Sequence, residues 1–271
     1  MRTQLLSVLL VATLVALLTA AARAEVKLVE VEYQIPGSDQ VFRGFKAYDD
    51  AAKDKRPGVL VCHEWWGCNQ YASDRAKQLA SEGYVAFALD MYGKGNVTTD
   101  PKQAGEWAGR LYSDPDALRV RAAAGLKVLA NDALVDPARL AAIGYCMGGT
   151  VALELARTGA DLKAVVCFHT STITAKAPDD NARIKAKVLI CHGADDTFVK
   201  PGEIDTFHEQ MRAAKVDYQF IAYAGAVHSF TSPSADKAGI PGVRYQAAAD
   251  RRSWAHMRMW FREAFADAAG K

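Results

Sequence analysis

Apolar and polar positions divide the chain into two regimes. Residues 26–35, VKLVEVEYQI, and 41–48, VFRGFKAY, alternate in polarity and are separated by PGSDQ, a cluster of turn formers. Period-two alternation on both sides of such a turn predicts an antiparallel hairpin with one solvated face. From residue 59 the alternation gives way to short, nearly continuous apolar runs: VLVCHE (59–64), YVAFALD (84–90), LAAIGY (140–145), AVVCFH (164–169), KVLICHG (187–193) and YQFIAY (218–223). A strand that is apolar at almost every position is covered on both faces, as in a parallel sheet. Helical stretches are predicted between and after these runs, over 71–82, 101–111, 116–131, 147–158, 201–214 and 244–266. Pro101 after Asp100, Pro201, and the Asp114-Pro115-Asp116 step suit first helical turns. Alternating strands and helices joined by right-handed crossovers predict the α/β class, a doubly wound and mainly parallel sheet behind an N-terminal antiparallel hairpin. No repeat, low-complexity tract or linker divides the sequence, so one domain is expected over 25–271.

Residues 1–24 stand apart. MRTQLLSVLLVATLVALLTAAARA has Arg2, an uncharged apolar stretch and then Ala22-Arg23-Ala24. This is the layout of a secretory signal peptide with an A-x-A-like cleavage site. Its apolar part is short for a membrane span, and no later segment is long and apolar enough to make one. The expectation is a secreted or periplasmic protein, not membrane-associated once the signal is removed. Losing Arg2 and Arg23 brings the 33 basic residues level with the 31 acidic ones. A balanced chain without a clustered basic stripe is a poor partner for nucleic acid.

An exported chain can form disulfides, and five cysteines follow the signal: Cys62, Cys68, Cys146, Cys167 and Cys191. Three of them, Cys62, Cys167 and Cys191, sit inside apolar strand runs, where cysteine behaves as a small hydrophobe. No C-x-x-C pair is present, so neither a zinc site nor a thioredoxin-like motif is supported. Neither metal nor cofactor is expected.

Open α/β sheets gather their functional groups at the C-terminal edge of the strands. The apolar runs lead there into His63-Glu64, Asp90, Cys146, His169, Asp196 and His228. The most specific signal is GYCMGG (144–149), a G-x-C-x-G-G turn between a strand and a helix. It has the form of a nucleophile elbow with cysteine in the place of serine. Gly144 and Gly148 give the turn room, and the following helix aims its positive end at the thiol, which favours the thiolate. An acid and then a histidine should follow in chain order. The acid is Asp195 or Asp196 in GADDTFV, and the base is His228 in the Gly-rich loop after the last strand. His208 and His256 read as helix-surface residues. CHEWWGCN (62–69) closes the first parallel strand, where this kind of fold supplies a second oxyanion donor, and Trp65 and Trp66 are placed to wall a pocket.

Together GYCMGG, HEWWGCN, LDMYGKG, GADDTFV and GAVHSF resemble the dienelactone hydrolase family of α/β-hydrolases, in order and spacing, over nearly the whole chain beyond residue 24. The resemblance implies an α/β-hydrolase fold and an ester or lactone hydrolase working through an acyl-cysteine on a small molecule. It implies Cys146 as nucleophile, His228 as base and Asp196 as acid, because the family acid directly precedes the x-F-V step. It implies Glu64 as a carboxylate beside the resting thiol, and the backbone N–H groups of Trp65 and Met147 as the oxyanion hole. Lys94 stands where the family has one of two arginines that hold a substrate carboxylate, with Tyr92 and Trp66 also on the substrate side. Ser232 occupies the position of the second arginine, so that clamp is half formed. The same residues would also serve a thioesterase or peptidase, and a non-catalytic ligand-binding member of the fold is the remaining alternative.

Overall fold

The structure, a computed structural model, describes residues 25–269, and the segment read as an export signal lies outside them. Eight strands form one sheet: β1 (Val26–Gln34), β2 (Val41–Asp49), β3 (Arg56–Cys62), β4 (Val85–Leu89), β5 (Val135–Tyr145), β6 (Ala164–Phe168), β7 (Lys187–Gly193) and β8 (Tyr218–Tyr223). Their order is β1-β2-β4-β3-β5-β6-β7-β8. The hairpin β1–β2 is antiparallel and joins β4 antiparallel, while every pairing from β4 through β8 is parallel. Six helices cover the sheet: α1 (Gln70–Ser81), α2 (Pro101–Ser113), α3 (Pro115–Ala130), α4 (Met147–Arg157), α5 (Pro201–Ala213) and α6 (Ala247–Ala269). Among the described residues no helix is long and apolar enough to cross a membrane.

The continuous apolar runs are explained by two cores, one on each face of the sheet. Leu60 and Cys62 of β3, Phe87 and Leu89 of β4 and Val165 and Cys167 of β6 pack with α2 to α5. Val59 and Val61, Ala86 and Ala88, and Val166 and Phe168 point the other way and pack with α1 and α6. Each of these central strands thus buries both rows of its side chains, at about 1.5–3 kcal/mol for each large apolar one. Helix starts are fixed locally. Asn69 caps α1 by accepting from Tyr71 and Ala72 N–H, and Asp100 and Asp114 cap α2 and α3 ahead of Pro101 and Pro115.

Three differences from the sequence reading have physical causes. Strand β5 begins five residues before the LAAIGY run. Its first residues pair with Arg56 and Pro57, and the register then shifts so that Gly58 meets Leu140. Pro57 and Pro137 lack an N–H and flank that irregularity, which is where a sheet tolerates proline. Helix α6 starts at Ala247, not 244, because residues 243–246 run beside the His228 loop. His228 forms a bridge with Val243, Arg244 N–H donates to His228 O, and Gln246 N–H donates to Phe230 O. His208 and His256 are half-buried and bonded to the hydroxyls of Tyr218 and Tyr223.

The tight approach of α4 to β3 generates a stability prediction. A Cβ on Gly148 would lie 2.1 Å from the carbonyl oxygen of Cys62, whereas exposed Gly109 in α2 has nothing within 4 Å. Gly148→Ala should cost about 3 kcal/mol or more through overpacking against backbone. Gly109→Ala should stabilise by about 0.5–1 kcal/mol. Chemical denaturation of both variants checks the contrast, and equal effects would contradict it.

Candidate active site

The elbow is built from steric necessity. Cys146 sits at φ 53°, ψ −117°, between the end of β5 and the first turn of α4. A side chain on Gly144 would meet Gly148 O at 1.9 Å, and one on Gly149 would meet Thr170 Oγ1 at 1.8 Å. Only glycine fits at these positions, so the G-x-C-x-G-G spacing is a packing requirement of the turn. The Cys146 thiol lines the cavity above it. The N–H groups of the first turn of a helix have no intrahelical acceptor. That of Met147, and that of Trp65 at the end of β3, are unbonded among the described residues.

His228 follows β8 and is buried. Its Nδ1 is 2.9 Å from Asp196 Oδ2, and the Cys146 side chain acts on it electrostatically from the cavity side. Asp196 is buried while Asp195 faces solvent, so the structure joins Asp196, and not Asp195, to the imidazole. Asp196 Oδ1 also accepts the Phe198 N–H at 2.9 Å. The Phe198 ring stacks on the His228 ring at 4.4 Å and 29°. Burial pulls the imidazole towards its neutral form. The sulfur of Cys146 and the Asp196 carboxylate outweigh burial and hold the imidazole at about 10. The buried imidazole is thus held in its charged form by its two neighbours.

Glu64 also lines the cavity, but its partner in this structure is Ser229, whose hydroxyl donates to Oε1 at 3.0 Å. The carboxyl is pushed up by burial, which prevails over the opposing pull of the Ser229 hydrogen bond and of the charges on His228 and Arg75. His63 and Asp90 hold turns. His63 Nε2 accepts the Met91 N–H, and Asp90 accepts from the N–H groups of Tyr92 and Gly93.

A cavity of about 430 Å³ opens over Cys146, within the range of small-molecule sites. Trp65 and Trp66, 4.9 Å apart, form part of its wall with Phe198 and Ile240. Hydroxyls of Tyr112, Ser171, Ser232 and Ser234 line it as well. The structure does not bring two expected residues into the cavity. Lys94 pairs with Glu32 at 2.6 Å on the outer side of the hairpin, with both side chains about half exposed. Its backbone N–H donates to Val41 O, which fixes the DMYGKG turn against β2 instead of the cavity. Tyr92 lies beneath the wall: its hydroxyl donates to Trp65 O at 3.0 Å and touches the Met147 sulfur at 3.1 Å. The cation on the cavity is Lys237, in a short 3₁₀ turn at 235–238 that the sequence reading missed. All five cysteines are unpaired.

The family model of the dienelactone hydrolase family matches residues 42–265. A solved structure of a protein called m3DLH is 41% identical, with 88% of this chain and 98% of that chain covered and a TM-score of 0.84. A dienelactone hydrolase-like promiscuous phosphotriesterase, P91, from metagenomic libraries, is 39% identical over 88% of this chain and 98% of its own, with a TM-score of 0.85. The Caenorhabditis elegans protein K02A2.1 is 37% identical over 155 residues, 55% of this chain and 95% of that protein.

Glu64 yields a pH-dependent prediction. Its folded pKa lies above its unfolded value of about 4.5. The protonated carboxyl is thus compatible with the fold, and stability is lost as pH rises through the folded pKa. Glu64→Gln keeps shape and hydrogen bonding and removes that loss. The variant should be more stable than wild type at neutral pH, and the gap should close as pH falls below about 4.5. Denaturant midpoints across pH test this, and a variant less stable than wild type at neutral pH would refute it.

Proposed function

The chain belongs to the dienelactone hydrolase family and is a hydrolase acting on ester bonds; from that premise we propose that it cleaves a small ester or lactone through an acyl-Cys146 intermediate. The observation that carries this reading is the relay of Cys146, His228 and buried Asp196 at the floor of the cavity. The Cys146 thiolate attacks the substrate carbonyl carbon, and the carbonyl electron pair moves onto oxygen. The Trp65 and Met147 N–H groups receive that oxyanion, a contact worth about 3–4 kcal/mol per donor in well-studied hydrolases. The intermediate collapses, the C–O bond breaks, and the His228 imidazolium gives its proton to the departing alkoxide. Neutral His228 then takes a proton from water, which attacks the thioester, and the Cys146 thiolate leaves. Asp196 keeps the imidazole in the tautomer that presents Nε2 to the sulfur. For Glu64, the part implied by the resemblance, helping to remove the thiol proton, requires its carboxyl to leave Ser229.

Thioester and peptide cleavage use the same atoms and differ in the leaving group. The similarity to P91, a promiscuous phosphotriesterase, adds phosphotriesters to the substrates to be tried. Lys94 lies outside the cavity, so we expect no carboxylate clamp from that residue. Export remains part of the proposal on the strength of residues 1–24. The protein from its native host should start at Glu25 or within a few residues of it, and an intact Met1 in a cytosolic fraction would contradict this.

The test of activity is a pre-steady-state assay with p-nitrophenyl esters beside lactones, thioesters, peptides and a phosphotriester. Wild type should release a burst of nitrophenolate and gain an acyl mass on Cys146. Cys146→Ala should abolish the burst, and Cys146→Ser should lose most turnover, because a hydroxyl needs a stronger base than a thiol. Turnover that survives in Cys146→Ala would overturn the acyl-cysteine route.

A further inference from the structure

Cys146 and His228 follow strands that do not touch: β6 and β7 separate β5 from β8 in the sheet. Strand pairing alone therefore does not set the distance between nucleophile and base. His169, at the end of β6, is fully buried and held at φ 40°. A non-glycine residue in that region is strained and persists only where its surroundings fix it. Its Nδ1 accepts the Cys146 backbone N–H at 3.2 Å, a donor it shares with Phe168 O at 3.0 Å. An accepting Nδ1 places the proton of the neutral ring on Nε2, and that nitrogen lies 2.6 Å from Thr231 Oγ1, three residues after His228.

Thr231 is anchored from the other side by α1. The Tyr71 hydroxyl meets the same Oγ1 at 2.7 Å, and Arg75 donates to the Thr231 carbonyl and to Asp250, both at 2.6 Å. Arg75 Nε also donates to the Tyr71 oxygen. The His169 ring also meets the His228 ring edge to face, with centroids 5.3 Å apart. Burial, reinforced by the charge on His228, holds His169 well below the ordinary histidine range and so keeps it neutral.

We propose that His169 is a positioning residue for the Cys146–His228 pair: one neutral imidazole ties the backbone of the nucleophile to the loop of the base through Thr231. The inference rests on the acyl-cysteine reading above. Its physical content is that a small displacement of the base relative to the sulfur takes the imidazole out of line for proton transfer with Cys146. The ionisable groups around the pair are Asp196, Glu64, His192 and Tyr112, with Tyr71 and Arg75 behind His169.

The test compares wild type, Thr231→Val, Thr231→Ser and His169→Asn. Thr231→Val keeps shape and removes the tie, and Thr231→Ser restores the hydroxyl. His169→Asn keeps an acceptor for the Cys146 N–H and loses the reach to Thr231. Alkylation by iodoacetamide reports the Cys146 thiolate without any ester, because burial pushes the other four thiols up. Thr231→Val and His169→Asn should alkylate and turn over about tenfold or more slowly, with KM nearly unchanged, as expected for lost alignment. Thr231→Ser should recover most of the loss, and the Thr231→Val/His169→Asn double variant should be no worse than either single one. Folding is checked by circular dichroism, and either tie-breaking variant that folds is enough to decide the outcome. Wild-type alkylation and kcat in a folded variant, or a Thr231→Ser as impaired as Thr231→Val, would overturn the proposal. Wild-type protein that alkylates but turns over no ester would instead sink the proposed activity, and the alkylation rates would still judge the tie.

Discussion

The backbone of Cys146, held at φ 53°, is the constraint on which the rest of the site depends. An L residue at that angle is strained by about 1–3 kcal/mol, and the surroundings leave no alternative path. Gly144, Gly148 and Gly149 each lack a Cβ where one would strike backbone or Thr170. β5 lies between β3 and β6 in the sheet, so the turn is packed from both sides. The conformation lifts the sulfur out of the strand and into the cavity.

The second organising effect is electrostatic. His228 is nearly fully buried, and burial by itself favours the neutral ring. Cys146 and Asp196 reverse that preference. Removing one partner of a buried charge pair costs on the order of 3–5 kcal/mol if the other stays charged. A pKa unit corresponds to about 1.4 kcal/mol, so His228 without Cys146 gives up its proton at lower pH. Nearby groups respect this balance. Glu64 is raised, and His169 and His192 are lowered, which limits the number of charges in a dry site.

The fold was legible because burial on both faces writes itself into every residue of a central strand. VLVCHE, YVAFALD and LAAIGY carry that mark, and their ends locate the functional edge. The elbow was legible for a steric reason, since its glycines leave no substitute. Asp196 over Asp195 needed the family pattern, because side-chain direction in a turn is set by contacts such as the Phe198 N–H, which spacing does not reveal. Lys94 was misplaced for the same reason: a motif fixes the backbone of DMYGKG but not whether the ammonium turns to the cavity or to Glu32. The His169–Thr231 tie joins residues 62 positions apart through two side-chain atoms, and no local periodicity encodes such a contact.

The central claim is that Cys146 and Asp196 together hold the buried His228 imidazole in its charged form, and a ¹⁵N NMR titration of that imidazole tests it most directly. In wild type the ring should remain charged through neutral pH and lose its proton at about 10. In Cys146→Ala, where Asp196 alone opposes burial, the ring should lose its proton at clearly lower pH than in wild type. A wild-type His228 that is neutral at neutral pH, or one that titrates identically in both proteins, would contradict the account.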